Sequence, residues 1–318
     1  MALLIAVSGW DSESWTSRFE ALLPGHDVRS HPETTGNPAD IRYLLAWKPD
    51  GELLRSLTGL EVIFSLGAGV DHLLKHPDLP DVPIVRIVDP DLTMRMSEWV
   101  VLQVLLHHRK HRLYHAQQQQ RLWKGHDQPA ASAVRVGILG LGVLGADAAT
   151  ALARLGFQVA GWSRSPKAIP GIQSYSGTQG LEEMLQRTDI LVNLLPLTGE
   201  TTGLIDYKLL SRLSTDGRRH PNCDAPVLIN AGRGGSQVET DIVRALDDGT
   251  LAACSLDVFE HEPLPAPAPL WTHPKAYVTP HIAADSDPES LSRYVAARIR
   301  AHEAGEGLIN VVDRTAGY

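Results

Sequence analysis

The sequence predicts an α/β protein: one domain built on a doubly wound parallel sheet, and a second, smaller α/β domain. Three observations carry this expectation. Short apolar runs alternate with helix-like stretches along the chain, the pattern of parallel strands joined by crossover helices. The alternation falls into two sets, one before about residue 98 and one from Val134 onward. The second set opens on Gly140-Leu141-Gly142-Val143-Leu144-Gly145, placed between a strand-like and a helix-like segment.

In the first set, Leu3 to Val7 reads as a strand, and Ser12 to Leu23 as a helix that Pro24-Gly25 ends. Met1 to Val7 has neither a basic segment nor a cleavage site, so it does not read as a signal peptide. Arg42 to Ala46, Val62 to Ser65 and Pro83 to Val88 complete a flavodoxin-like α/β unit. From Ser97 to Tyr114 one long helix is expected, because Trp99, Leu102, Leu105, Leu106 and Leu113 fall near helical spacing. The Gln117 to Gln120 run reads as a solvated face, and Gln128-Pro129-Ala130 as a linker.

Strands are then expected at 134–139, 157–162, 190–195, 227–230, 251–258 and 277–279. Helices between them include Leu181 to Arg187, Tyr207 to Leu213 and Val238 to Asp248. Six strands with crossovers make a doubly wound sheet. Thr215 to Pro226 reads as a polar surface loop, and the Pro265 to Pro269 run as a stiff connector. A last helix, Pro288 to Glu303, returns the chain to the first domain. The expected domains are therefore 1–98 with 282–318, for substrate, and 99–281, for a dinucleotide.

The glycine pattern gives the second domain its ligand. Between strand and helix in a βαβ unit, it is the fingerprint of a Rossmann fold. Gly140 allows the tight turn, Gly142 lets backbone approach a pyrophosphate, and Gly145 lets helix and strand pack closely. Leu141, Val143 and Leu144 complete the loop, whose N–H groups open a helix with a positive dipole end. Enzymes for NAD usually place Asp or Glu at the end of the second strand, to bind a ribose hydroxyl. Here that strand ends in Ser163-Arg164-Ser165, with Lys167 close behind. No carboxylate stands there to repel a 2′-phosphate, and a guanidinium can bind one. NADPH is the expected cofactor, with NAD at lower preference.

Other classes lose support. A net charge of -8 gives no electrostatic help to nucleic-acid binding. No apolar run approaches a membrane span. The two cysteines, Cys223 and Cys254, form no disulfide framework and no zinc spacing, so no metal is expected and a reducing cytoplasm fits.

Three further residues follow expected strands, where ligands bind in open α/β sheets: Arg233, Glu262 and His281. Taken singly, an arginine after a strand is ordinarily ion-paired or solvated, and one histidine among 14 is ordinarily a surface residue. Together they suit reduction of a 2-keto acid. A guanidinium can hold the substrate carboxylate in a two-bond fork. An imidazolium can give a proton to the carbonyl oxygen as hydride reaches carbon. A carboxylate can orient that imidazole and favour its charged form.

At this point the sequence resembles the D-isomer-specific 2-hydroxyacid dehydrogenases, and within them the glyoxylate/hydroxypyruvate reductase A branch. The resemblance rests on Ser65 to Asp71, Gly140 to Gly145, Trp162 to Ser165, Asn193 to Thr198, Asn230 to Gly234, Leu256 to Pro265 and Thr279 to His281, with Val312 to Tyr318 at the end. It covers nearly the whole chain, and its motifs follow family order. It implies that Arg233, Glu262 and His281 are the catalytic trio, with Glu262 directly before Pro263 in place of Glu260. It implies a substrate loop over Leu66 to Val70, where the N–H groups of Ala68 and Gly69 receive a carboxylate, with Trp47 and Arg95 nearby. Leu195, Pro196, Ala231 and Gly232 are implied on the cofactor side, and Asp257 as the partner of the nicotinamide carboxamide. Gly232 stands where the family often has Ala or Ser, which implies a looser loop. Formate oxidation is disfavoured, since that branch has Gln at the place of Glu262.

The resemblance implies reduction of glyoxylate to glycolate and of hydroxypyruvate to D-glycerate. It also implies a homodimer built through the helix Ser97 to Tyr114. Two alternatives stay open: the same chemistry on a bulkier 2-keto acid such as phenylpyruvate, and a dinucleotide-sensing binding protein without turnover.

Overall fold

Every strand pairing in the two sheets is parallel, and each sheet belongs to its own unit. The computed structural model describes residues 1–67, 69–214, 225–285 and 287–318. Ala68, Cys223 and nearly all of the loop expected at Thr215 to Pro226 lie outside the described residues. One unit is Met1–Leu92 with Ser286–Tyr318, and the other is Thr93–Asp285.

The first unit runs β1 (Ala2–Val7), α1 (Ser12–Leu22), β2 (Asp27–Ser30), β3 (Ile41–Trp47), α2 (Gly51–Ser56), β4 (Val62–Ser65), α3 (Asp71–Leu74) and β5 (Ile84–Arg86). Its sheet order is β2-β1-β3-β4-β5. All residues of β1 and β4 are buried, because both sheet faces are covered. On one face Trp15 and Phe19 of α1 pack with Leu291, Val295 and Ile299 of the C-terminal helix, Pro288–Glu303. On the other, Leu53, Leu54 and Leu73 close the core. The chain's tail covers the β5 edge, with Val312 N donating to Ile84 O at 2.8 Å and Arg86 N to Asn310 O at 3.1 Å.

The second unit runs α4 (Pro90–His108, entered from the first unit), α5 (His111–Gln119), β6 (Arg135–Leu139), α6 (Val143–Arg154), β7 (Gln158–Trp162), β8 (Gln173–Tyr175), α7 (Gly177–Gln186), β9 (Ile190–Asn193), α8 (Tyr207–Leu210), β10 (Val227–Asn230), α9 (Glu239–Asp247), β11 (Ala253–Leu256) and β12 (Ala276–Val278). The sheet order is β12-β11-β10-β9-β6-β7-β8. It reverses between β6 and β9, the switch point where crevices open at the C-terminal strand ends. Helices cover both faces of this sheet and bury separate apolar clusters.

The sheet has seven strands where six were expected, the addition being β8 at its edge. β2 is likewise an edge strand that the pattern did not announce. Both are short and largely polar, Gln-Ser-Tyr and Asp-Val-Arg-Ser, so neither carries an apolar run. The single helix expected over Ser97 to Tyr114 is two helices. Pro90 opens α4 earlier than expected, and Lys110 breaks it from α5 in a left-handed conformation at φ 55°. Gln117 is buried, its Nε2 lying 2.7 Å from His126 Nε2, so it is not part of a solvated face.

α4 carries a titratable group into the second unit. His107 Nε2 sits 2.8 Å from Ser255 Oγ, with Tyr277 edge-on at 5.7 Å. Burial, with the Arg112 charge as a lesser cause, pushes this imidazole down from 6.5 to about 4. In that window the unfolded chain takes up a proton and the folded chain does not. The associated stability is therefore present above pH 6.5 and lost as pH falls toward 4, by up to about 3 kcal/mol. His107→Gln should flatten this fall in Tm. A Tm–pH profile parallel to wild type would remove His107 as its source.

Candidate active site

The glycine turn at the end of β6 has the geometry of a phosphate cradle. Gly140 adopts φ +99°, a conformation that side chains rarely tolerate. A Cβ on Gly145 would collide with the Gly140 carbonyl oxygen, so α6 packs against the turn only because that residue is glycine. A Cβ on Gly142 would meet nothing within 4 Å, which leaves its backbone open to an approaching ligand. Gly142 is also the N-cap of α6, so the unpaired N–H groups of the first helical turn start here. Leu141 is buried, whereas Val143 is 45% exposed.

Beyond β7, Ser163 is buried and its Oγ donates to Ser165 O at 2.7 Å, so its hydroxyl shapes the turn. Arg164, Ser165 and Lys167 are exposed on that turn, and Lys167 N donates to Ser174 Oγ at 3.0 Å. The turn holds two cations and no carboxylate. Leu195-Pro196 follow β9, and Ala231-Gly232 follow β10, on the other side of the switch point. Open glycine backbone, a helix N-terminus and a basic turn together fit a dinucleotide carrying an extra phosphate.

Arg233, Glu262 and His281 follow β10, β11 and β12, which are neighbours in the sheet. Adjacent strands lie about 4.8 Å apart, so the three segments that carry these residues leave the sheet side by side. His281 Nδ1 lies 2.8 Å from Glu262 Oε2, and the side chains keep 43% and 31% of their exposure. An ionised carboxylate only accepts, so Nδ1–H is the donor, and Nε2 takes no part in this contact. Glu262 Oε1 accepts from Phe259 N at 3.0 Å, which fixes the carboxylate from behind. Glu260 is used elsewhere: it accepts from Glu239 N at 2.7 Å, and Glu239 accepts from Glu260 N at 2.7 Å, tying the loop to the start of α9.

His281 has φ 56°, unusual for a residue with a side chain. Asp257 holds that turn. Its buried carboxylate accepts from Thr279 Oγ1 at 2.5 Å, Ile282 N at 3.0 Å and Ala283 N at 2.9 Å. Its carbonyl accepts from His281 N at 2.8 Å. The anchoring of the histidine turn by Asp257 was not foreseen from sequence.

The arginine turn is held by buried amides that sequence reasoning also missed. Asn193 and Asn230 close β9 and β10, and Asn193 Nδ2 donates to Asn230 Oδ1 at 2.9 Å. Gly232 N donates to the same Oδ1 at 3.0 Å. A Cβ on Gly232 would sit 2.8 Å from Leu195 O and 2.9 Å from Asn193 Nδ2. Glycine therefore does not loosen this loop; it lets the loop pack tightly. The available signal was the repeated pattern of three apolar residues and then Asn, in Ile-Leu-Val-Asn and Val-Leu-Ile-Asn.

Trp47, Leu66 and Gly69 belong to the first unit. Leu66 is buried and its N–H donates to Ala46 O at 3.0 Å. Ser65 Oγ shares its single proton between the Gly67 and Gly69 carbonyls, 3.4 Å from each. The Trp47 ring lies over Gly67, where a Cβ would strike it, and His72 packs on the ring at 4.8 Å. Ala68 falls outside the described residues. Arg95 is exposed on α4.

A doubly wound sheet with a glycine cradle and its reactive groups at the strand ends is the architecture of dinucleotide-dependent oxidoreductases. The chain belongs to the D-isomer specific 2-hydroxyacid dehydrogenase family, whose NAD binding domain matches residues 101–283. It is 40% identical over 315 residues to a glyoxylate/hydroxypyruvate reductase A of Yersinia enterocolitica, covering 97% of each chain. Among solved structures it is similar to an NADPH-dependent glyoxylate/hydroxypyruvate reductase from Sinorhizobium meliloti in complex with NADP and sulfate. The identity is 47%, the TM-score 0.93, and all of both chains is covered. A probable 2-hydroxyacid dehydrogenase from Rhizobium etli, in complex with NADP, HEPES and L(+)-tartaric acid, is 44% identical at TM-score 0.93, covering 100% and 99%.

Proposed function

We propose that this protein is an NADPH-dependent reductase of small 2-keto acids, converting glyoxylate to glycolate and hydroxypyruvate to D-glycerate. The carrying observation is the 2.8 Å contact between His281 Nδ1 and Glu262 Oε2, in the unit that also holds the glycine cradle. Relatives named for this activity, at 40% identity over nearly the full chain, support the substrate class. The family description names NAD, but the two similar solved structures hold NADP, and the basic Arg164–Lys167 turn favours the phosphorylated form.

The cofactor's phosphates are assigned to Gly140 to Gly145, its 2′-phosphate to Arg164, Ser165 and Lys167, and its remainder to Leu195, Pro196, Ala231, Gly232 and Asp257. When bound, it supplies the hydride for the carbonyl carbon. Arg233 holds the substrate carboxylate in a fork. His281, oriented through Nδ1 by Glu262, gives the Nε2 proton to the carbonyl oxygen. The carbonyl thus gains a hydride at carbon and a proton at oxygen, and leaves as the hydroxyl of a 2-hydroxyacid.

Leu102, Leu113 and Tyr114 are exposed along α4 and α5, and Trp123 beyond them is fully exposed. Such apolar exposure supports a homodimer with this segment at its interface. No helix among the described residues is long and apolar enough to cross a membrane. Cys254 is a buried free thiol, which burial pushes up to about 12.

Steady-state rates with glyoxylate, hydroxypyruvate, pyruvate and phenylpyruvate, each with NADPH and NADH, test the reading. Highest kcat/KM for the two small substrates with NADPH is expected, and highest values for phenylpyruvate would overturn the substrate assignment. Within the same panel, Arg164→Ala should narrow the NADPH-over-NADH preference by about tenfold or more, the equivalent of one charged hydrogen bond. An unchanged ratio would sink the role of Arg164.

A further inference from the structure

We propose that Asn230 is a positioning residue for Arg233: its side-chain amide grips the backbone on both sides of the arginine and fixes where the guanidinium is presented. This rests on the reading of Arg233 as the holder of the substrate carboxylate. Asn230 ends β10 and is fully buried. Its Oδ1 accepts from Gly232 N at 3.0 Å, just before the arginine, and from Asn193 Nδ2 at 2.9 Å. Its Nδ2 donates to Arg233 O at 3.4 Å, just after the side chain, and to Gln237 Oε1 at 2.7 Å. A primary amide has two donor and two acceptor positions, and all four are filled.

The partners are themselves locked. Ser236 Oγ donates to the same Arg233 carbonyl at 2.6 Å and accepts from Asn193 Nδ2 at 3.0 Å. Gln237 Nε2 donates to Val258 O at 2.9 Å, fastening the network to the chain just after β11, ahead of Glu262. All four polar residues are at most 2% exposed. Any other arrangement would leave buried donors or acceptors without partners. The network therefore fixes one backbone conformation at Arg233, the extended φ -142°, ψ 141° from which the side chain departs. A misplacement on the order of 1 Å in a substrate-holding group can cost about a hundredfold in rate. Carboxylate recognition by a planar fork is sensitive to such an error; a simple point charge is much less so.

Asn230→Asp keeps the shape and replaces the two donors by an acceptor facing Gln237 Oε1 and Arg233 O. It should lower kcat/KM for glyoxylate about 10- to 100-fold, and leave the NADPH Kd, read by fluorescence titration, within about twofold. Ser236→Ala, a milder change, should lower kcat/KM about 3- to 10-fold. In an Arg233→Lys background, where no fork remains to be aimed, both changes should cost less than about twofold more. Undiminished losses in that background, an equal weakening of NADPH binding, or no loss from either variant would overturn the positioning role. If Asn230→Asp does not fold, Ser236→Ala decides by the same criteria. If Arg233→Lys alone leaves kcat/KM unchanged, the carboxylate-holding reading has failed and the positioning role falls with it. A loss from Arg233→Lys with additive Asn230 effects sinks the positioning role only.

Discussion

Replacing His281 with alanine is expected to lower kcat for glyoxylate about 10²- to 10⁴-fold, the range for loss of a positioned general acid. NADPH binding should change little. The expectation comes from how thoroughly the imidazole is prepared. Glu262 Oε2 accepts a hydrogen bond from Nδ1–H at 2.8 Å, and Phe259 N donates to the carboxylate's other oxygen. Asp257 clamps the turn from three sides, which keeps His281 at φ 56°. Without the imidazole, water must supply the proton, with no fixed position and a poorer acidity. Alanine dislikes a positive φ, so the variant also carries a backbone cost. His281→Asn separates the two effects, because asparagine tolerates that conformation. Both variants should lose turnover alike, and only alanine should lower Tm appreciably. An unchanged rate in His281→Asn would take the residue out of the mechanism.

The parts of this site that were legible in the sequence share a physical trait: each is announced by residue types that the local conformation requires. Gly140 and Gly145 are forced by a positive φ and by a backbone contact. Arg233, Glu262 and His281 each follow a strand that reads as an apolar run, so their placement at strand ends followed from the α/β pattern alone. What was not legible depends on partners distant in sequence. Asn193 and Asn230 are 37 residues apart and meet only because β9 and β10 pair in register. Asp257 reaches Ile282 and Ala283, 25 and 26 residues on, only because β11 and β12 lie side by side. The break at Lys110 carries no glycine or proline to mark it, so helical periodicity ran through it. β2 and β8, at sheet edges, need no continuous apolar run and so left none to find.

Arg233→Ala should lower kcat/KM for glyoxylate and hydroxypyruvate about 10²- to 10⁴-fold, with the NADPH Kd within about twofold. Two charge-assisted hydrogen bonds from a guanidinium to a carboxylate contribute roughly 1.5–3 kcal/mol each, which sets that range. The variant should fold normally, because the turn is held through main-chain atoms that alanine retains. Gly232 N still reaches Asn230 Oδ1, and the carbonyl of residue 233 still accepts from Ser236 Oγ. The loss of the Arg233 Nη1 bond to Gly232 O at 2.8 Å is local to the side chain. Arg233→Lys keeps the charge without the fork, so its loss should be intermediate. Kinetics alone could confuse weaker binding with slower chemistry. The separation comes from saturating substrate: a holder of the carboxylate raises KM most, whereas a group needed only at the transition state lowers kcat and kcat/KM equally. If Arg233→Ala left KM for glyoxylate unchanged, or weakened NADPH in the same proportion, Arg233 would belong to the cofactor or to the fold, and the substrate carboxylate would need another partner.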